Sequence, residues 1–471
     1  MMSKLLIAGR WVAGDHSEVL TDCYSGQPYG EMGVASARQV DEAVGAAAQA
    51  ARRIRLSPDE RYRILMRAAD LMQARKEKLL DTLVSETGFP RGDGENEVRR
   101  CVQTLQLSAE EARRLVGDIV PMEATPGLKN RMGYTVLVPR GVVCAITPYN
   151  SPLNVVAHKV APALAGGNVV VLKPSELTPL SAVALCQILI DAGLPPECIS
   201  LLHGPGAAIG RALLDDNRIQ FYTFTGSTRV GREIQQAAGL RGTQLELGSI
   251  ASTIVLADAD QALAVGKIVA AGFRKAGQVC TSVQRVLIQR PIYEAFLEKL
   301  VEAARKVPYG DPRQPETVVG PMITVQQAER AEQWLAEAVQ GGARVLVGGK
   351  RERAVFAPTI LADAPPDARV VCEEVFAPII VAIPVDTVEQ AYERANDTPY
   401  GLAAGLFTRD LSVAMQAGVN LQFGGVHINE TSSSRVDVMP FGGVKDSGFG
   451  REGPRYAVRE MMEERLVTIA F

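Results

Sequence analysis

Along the first quarter of the chain, apolar positions recur with helical spacing. Ser36 reads as an N-cap, and residues 37–54 are alanine-rich with periodic apolar positions. Residues 57–87 continue the pattern, with Leu65, Ala68, Leu71 and Met72 on one face. Gly88-Phe89-Pro90-Arg91-Gly92 breaks it, and residues 96–115 form a third helix. Ahead of these, residues 5–8 and the stretch around Trp11 flank a Gly-Arg turn and predict a short strand pair.

The texture changes near residue 119. Residues 134–139 alternate, as an exposed strand does. Residues 141–147 and 168–172 are short apolar runs of the buried-strand type, with an apolar helix over 155–165 between them. A helix over 181–192 and strands over 199–202 and 219–224 follow. The rhythm then repeats, with strands over 253–255, 286–289, 344–347 and 379–384 and helices over 260–273, 292–307, 325–340 and 388–396. Strands alternating with helices predict parallel sheets covered on both faces, here as two α/β domains in tandem. Residues 465–471 read as a strand able to join a sheet on another subunit.

Composition narrows the function. With 471 residues, two or three domains are expected. Fifty basic and 53 acidic residues give a net charge of −3, which leaves no electrostatic footprint for nucleic acid or an anionic membrane. The seven cysteines are widely spaced with no CxxC pair, so neither a zinc site nor a disulfide framework is signalled and no metal is expected. The start is too short in apolar residues for a signal peptide, and no run approaches a membrane span, so a cytoplasmic chain with reduced thiols is expected.

Candidate chemistry is thin when each motif stands alone. The one GxGxxG match, at 448–453, follows no apolar strand and reads as a loop. Phe224-Thr225-Gly226-Ser227-Thr228-Arg229-Val230-Gly231 follows an apolar strand and opens a helix. Such a turn presents free N–H groups to a phosphate, although a plain helix cap accounts for it equally. Cys280, in Ala276-Gly277-Gln278-Val279-Cys280-Thr281, reads as a nucleophile or as a small buried hydrophobe. Glu246, beside Leu247-Gly248-Ser249, reads as a general base or as a solvated carboxylate.

Taken together, Asn150, Lys173, the 226–231 turn, Glu246, Cys280, Glu374-Val375-Phe376 and Pro440-Phe441-Gly442-Gly443 occur in an order and spacing that resembles the aldehyde dehydrogenase superfamily. Cys280 lies 34 residues after Glu246, the family separation, and the resemblance covers essentially the whole chain. It implies a dinucleotide-binding α/β domain (1–121 and 139–246), a catalytic α/β domain (247–428) and a small bridging sheet (122–138 and 429–471) that pairs subunits into a homodimer or homotetramer. Both large domains are implied to be Rossmann-like.

The resemblance also assigns roles. Cys280 attacks the aldehyde carbon, the Asn150 amide and the Cys280 N–H stabilise the oxyanion, and Glu246 activates the water that hydrolyses the thioester. Lys173 is counted with these catalytic groups. The cofactor is NAD, with NADP possible. Its contacts are Thr147, Pro148, Lys173, Ser175, Glu176, Gly206, Gly210, Phe224, Gly226, Ser227, Leu247, Glu374 and Phe376. A carboxylate at Glu176 favours NAD by repelling a 2′-phosphate.

The sequence departs from the family pattern at Ser249, where glycine is usual, at Arg229, where an acidic residue is common, and at Val279, where some relatives acting on anionic aldehydes carry arginine. The stretches 154–159, 434–437 and 442–448 look closest to branches that oxidise lactaldehyde, glyceraldehyde and phosphonoacetaldehyde. They imply a short aldehyde with a polar or anionic group held by His158 and Arg435, near Gln106, Val279 and Thr281. Three rival readings are weighed against this one. A cofactor-independent thiol esterase would act without nicotinamide. A non-catalytic member of the superfamily is disfavoured by intact Cys280, Glu246 and Asn150, and a CoA-acylating enzyme by Glu246.

Overall fold

The computed structural model describes residues 2–127 and 129–471; Met1 and Leu128, which fall in the expected segments 1–121 and 122–138, lie outside the described residues. Two large sheets divide the chain between Glu246 and Ser252.

The first sheet has eight strands. Its parallel centre runs Gly242–Glu246, Phe221–Thr225, Val142–Ile146, Val169–Lys173 and Ile199–Leu201 in spatial order. The order reverses beside Val142–Ile146, and a ligand crevice opens at such a switch point, outside the carboxyl ends of the strands. The N-terminal hairpin, Leu5–Ile7 with Arg10–Val12, closes one edge antiparallel. Its turn falls at Ala8-Gly9, both with positive φ, rather than at Gly-Arg.

The opposite edge corrects a sequence reading. Gly448–Phe449, inside the segment read as a loop, is a short strand antiparallel to Leu245–Glu246. A Cβ on Gly448 would meet the Leu245 carbonyl at 2.0 Å, so only glycine lets this strand approach.

The second sheet has seven strands. Six are parallel, in the order Thr359–Ala362, Ile379–Val385, Arg285–Gln289, Ser252–Val255, Ala403–Phe407 and Gly425–Ile428. A third, three-stranded sheet joins Ile119–Val120, Arg131–Pro139 and Met462–Ala470. Of the expected bridging segment 429–471, only Met462–Ala470 lies in that sheet. The helix Pro454–Glu460 instead buries Ala457 and Val458 in the core packed on the first sheet.

The N-terminal helices form because their caps and apolar faces agree. Ser36 with Gln39 and Ser57 with Glu60 make capping boxes that satisfy otherwise orphaned N–H groups. The expected helix over 57–87 is two helices, Pro58–Ala74 and Lys76–Thr87, broken at Arg75 (φ −102°, ψ 15°). The break lets both segments turn their apolar faces, with Met72 on one and Leu83 on the other, into the same core. The third helix is Arg91–Ala112, starting earlier than expected; Pro90 sits at its N-cap, and Gly94 allows Leu80 to pack close. No helix among the described residues is long and apolar enough to cross a membrane.

Candidate active site and cofactor groove

The carboxyl edge of the first sheet delivers the site's polar residues. Thr147 and Asn150 follow Val142–Ile146, Lys173 ends its strand, Ser227 follows Phe221–Thr225, and Glu246 ends Gly242–Glu246. The second sheet contributes from its amino edge. Cys280 precedes Arg285–Gln289, and Glu374 and Phe376 precede Ile379–Val385. Between the two edges lies a cavity of about 310 Å³, whose walls include Asn150, Glu246, Leu247, Cys280, Glu374 and Phe376. Pro148, Tyr149, Thr225, Gly226 and Ser227 belong both to this cavity and to an adjoining groove of about 1090 Å³.

Cys280 sits in a constrained loop. Lys275, Ala276 and Gly277 all have positive φ, and a Cβ on Gly277 would meet the Ala377 carbonyl at 2.1 Å. Non-glycine residues adopt this region at a cost, and such strain concentrates at functional sites. Phe376 is left-handed as well, and its ring stands edge-on to Tyr149 at 6.1 Å across the cleft. Within the loop, Gln278 N donates to Lys275 O, Val279 N to Gly277 O and Ser282 N to Val279 O, while the Cys280 N–H makes no such bond among the described residues. Asn150 Nδ2 donates to Gln278 O at 2.8 Å, and its second amide hydrogen is left for another acceptor.

The titratable groups are out of their usual ranges. Burial pushes the Cys280 thiol up to about 12; Arg435 opposes this, and the charges of Glu246, Glu374 and Glu452 add to it. Glu246 is 3% exposed, and neither of its carboxyl oxygens has a hydrogen-bond partner among the described residues. Burial and then the neighbouring Glu452 raise it well above the carboxylate range. Glu452 behaves oppositely. Burial would raise it, but Lys159 (Nζ to Oε1, 2.7 Å) and Arg435 (Nη2 to Oε2, 2.6 Å) hold it well below. Two carboxyls of opposed character therefore share the cavity wall, the arrangement in which one can carry a proton that the other cannot.

The groove fits a dinucleotide. Thr147, Pro148, Lys173, Ser175, Glu176, Gly206, Gly210, Phe224, Gly226 and Ser227 line it. Ser227 caps the helix Thr228–Ala238, whose N-terminal N–H groups face the groove as a phosphate site. Gly206 and Gly210 have open space where a Cβ would stand. Lys173 donates to the Pro174 carbonyl and lies 3.5 Å from Glu176 Oε2. It lines the groove and not the cavity around Cys280. Glu374 accepts from Ser249 N at 2.9 Å, and burial raises it to about 7. The donor is the Ser249 backbone, which glycine would supply equally, and the buried Ser249 hydroxyl has no hydrogen-bond partner among the described residues, so nothing in the structure explains the serine. Arg229 is an exposed groove residue paired with Glu233.

The expected substrate residues separate. Val279, Thr281 and Arg435 line the cavity. His158 does not: it is fully buried behind the wall, and its Nε2 donates to Asp437 Oδ1 at 2.9 Å. Burial lowers its pKa, which keeps it a neutral spacer. Gln106 is also off the wall; the same helix presents Arg100 instead, forked onto Asp437. The reading from sequence missed Arg100, Arg274, Lys275, Lys159 and Glu452. For Arg274 and Lys275 a signal existed, since two consecutive cations interrupt an apolar stretch just before Cys280.

The profile of the Aldehyde dehydrogenase family matches residues 11–467. The chain is 46% identical over 466 residues to a 3-sulfolactaldehyde dehydrogenase from Priestia aryabhattai, covering 99% of this chain and 97% of that protein. It is 41% identical to aspartate-semialdehyde dehydrogenase 1 of Pseudomonas canavaninivorans, covering 99% of each. The solved structure of an NADP-dependent glyceraldehyde-3-phosphate dehydrogenase from Bacillus halodurans, complexed with NADP, superposes with a TM-score of 0.97 at 33% identity, covering 100% of this chain and 99% of that one. With sequence matched almost end to end and fold matched throughout, the chain belongs to the aldehyde dehydrogenase family, oxidoreductases of the aldehyde group that use NAD(P).

Proposed function

We propose that the protein oxidises a short aldehyde bearing an anionic group to the free carboxylic acid, through a thioester on Cys280. The observation that carries this reading is the convergence of Cys280, Asn150 and Glu246 on one cavity that opens into the dinucleotide groove.

The Cys280 thiol must lose its proton before it can attack, because burial holds it protonated at neutral pH. Glu246, unpartnered in the same cavity, is the base for that proton, and Arg435 supplies a charge that favours the thiolate. Attack on the carbonyl carbon places negative charge on its oxygen, where the free Asn150 amide hydrogen and the Cys280 N–H stabilise it. When bound, the oxidised nicotinamide would supply the acceptor for the aldehyde hydride. Glu246 then takes a proton from the water that cleaves the thioester. The Lys159–Glu452 pair stands behind Glu246 as a route for that proton.

Arg274 and Arg100 support an anionic substrate. Burial pulls the Arg274 guanidinium down, Asp93 offsets this only in part, and the charge of Arg100 adds to the strain. Arg274 Nη2 donates to Ser433 Oγ at 2.7 Å, with Thr281 Oγ1 3.2 Å from the same hydroxyl. Two desolvated cations on one wall are relieved by an anion between them. Sulfolactaldehyde and aspartate semialdehyde, named for the relatives above, carry a sulfonate and a carboxylate. We also propose assembly through the three-stranded sheet, whose Met132, Leu466 and Ile469 are exposed.

The test is absorbance of reduced nicotinamide with NAD or NADP and no CoA, using propanal, lactaldehyde, succinic semialdehyde, sulfolactaldehyde and phosphonoacetaldehyde. Anionic aldehydes are expected to lead in kcat/KM. Propanal turned over as well as all of them would overturn the anionic reading.

A further inference from the structure

We infer that Lys275 is a positioning residue, clamping the loop that carries Asn150 to the loop that carries Cys280; the inference rests on the reading of Asn150 as an oxyanion donor. Lys275 is 4% exposed. Its ammonium donates to Asn150 O at 2.8 Å, to Glu97 Oε2 at 3.0 Å and to Ser151 Oγ at 3.1 Å. Three donors meet three acceptors, so the cation has no hydrogen left for a substrate or a solvent proton path. The Phe89 ring covers it, 4.5 Å from the nitrogen.

Glu97 completes the brace. Its carboxylate accepts from Ser151 Oγ at 3.0 Å, Leu153 N at 3.2 Å and Asn154 N at 2.9 Å, fixing the chain between Asn150 and the helix Asn154–Ala165. Burial would raise it, but the Lys275 charge and the Asn154 N–H bring it below its ordinary value, so the pair stays ionic. A buried pair of this kind is a poor source of stability, which points to a role in geometry.

The clamp is reciprocal. Lys275, from the second domain, holds the Asn150 main-chain carbonyl; Asn150, from the first, holds the Gln278 carbonyl with its side chain. Gln278 stands two residues before Cys280, and Gln278 Nε2 returns a bond to Lys275 O at 3.1 Å. These bonds span the cleft and fix the Asn150 amide relative to the sulfur. The left-handed backbone at Lys275 and Ala276 aims the side chain at this target and is held there by it. Lys275 acts through Asn150 and not on substrate.

The experiment compares Lys275→Met, Lys275→Met with Glu97→Gln, and Asn150→Ala with the native enzyme. Four readouts are taken: the first-turnover burst of reduced nicotinamide, p-nitrophenyl acetate hydrolysis without cofactor, iodoacetamide alkylation of Cys280, and thermal melting. The burst and the ester hydrolysis pass through an oxyanion; alkylation does not. In Lys275→Met both oxyanion reactions are expected to fall about 10- to 100-fold, with alkylation and aldehyde KM changed by less than about threefold. The double variant leaves no lone buried charge and is expected to melt close to native while remaining slow. Native rates in a folded Lys275 variant, or alkylation falling in parallel, would overturn the inference. If Asn150→Ala slows both reactions and Lys275→Met does not, the inference fails alone. If Asn150→Ala is itself without effect, the reading of Asn150 fails, and the inference with it.

Discussion

The cavity and the groove share a wall but are built differently. The groove is walled by a helix N-terminus, glycines with open space and mostly half-exposed or exposed polar side chains, with Lys173 and Thr147 buried among them. In the cavity, Cys280, Glu246 and Glu374 are titratable groups pushed far from their solution values, set among Arg274, Arg435 and Lys159. A surface made of backbone binds by shape and tolerates side-chain change. A surface made of desolvated charges is costly to fold, and that cost is recovered only where charge changes during a reaction. The difference predicts that cavity substitutions act on rate and groove substitutions on affinity.

The largest effect tests whether the cavity is where bonds change. Cys280→Ala is expected to lower kcat by at least about 10⁴-fold while NAD still binds, measured by turnover and by calorimetry. Residual turnover above that level would move the chemistry elsewhere. Glu246→Gln is expected next, with steady-state turnover down about 10²- to 10³-fold and the first burst of reduced nicotinamide slowed with it, because Glu246 serves both the thiol and the hydrolytic water. Since Glu246 is raised, native turnover should climb with pH as its carboxyl ionises; a flat profile would contradict its role as base.

Arg274→Ala sharpens the comparison within the cavity. kcat/KM for succinic semialdehyde or sulfolactaldehyde should fall about 10- to 100-fold, the worth of a charge-assisted bond, while that for propanal stays level. An equal loss on both substrates would make Arg274 a structural cation. The smallest effect concerns the seam between the two regions. Glu374 titrates at about 7, and its ionised form is the better acceptor for ribose hydroxyls. NAD affinity, read by fluorescence titration, should therefore strengthen about two- to fivefold from about pH 6 to about pH 8. Affinity that weakens over that range would place Glu374 outside the contact.

Much of this layout was legible before any coordinates. The two runs of alternating strands and helices follow from short apolar runs set between segments of helical period, and Ser36 announces its helix as an N-cap. Two kinds of strand were not legible. His16–Thr21 and Pro28–Val34 pair with each other but carry little apolar alternation, and Gly448–Phe449 exists only because the distant Leu245–Glu246 lies beside it. The site shows the same division. Cys280, Glu246 and Asn150 stand in recognisable spacing, whereas Arg100, Glu97 and Glu452 acquire meaning from neighbours brought together by folding. His158 shows the converse: a residue in a suggestive stretch is turned inward by Asp437, a partner 279 residues away.

The strand that ends in Glu246 is bordered by Gly448–Phe449, and the carboxyl that shapes Glu246 belongs to Glu452. Both arrive some two hundred residues later in the chain. During synthesis, the dinucleotide sheet can form its parallel centre long before that segment emerges, but its outer edge stays open until nearly the last residues are made. The surroundings of Glu246, the proposed general base, are thus completed late, and a chain cut short before residue 448 is expected to keep the parallel centre of that sheet but to lack the groups that set the Glu246 carboxyl.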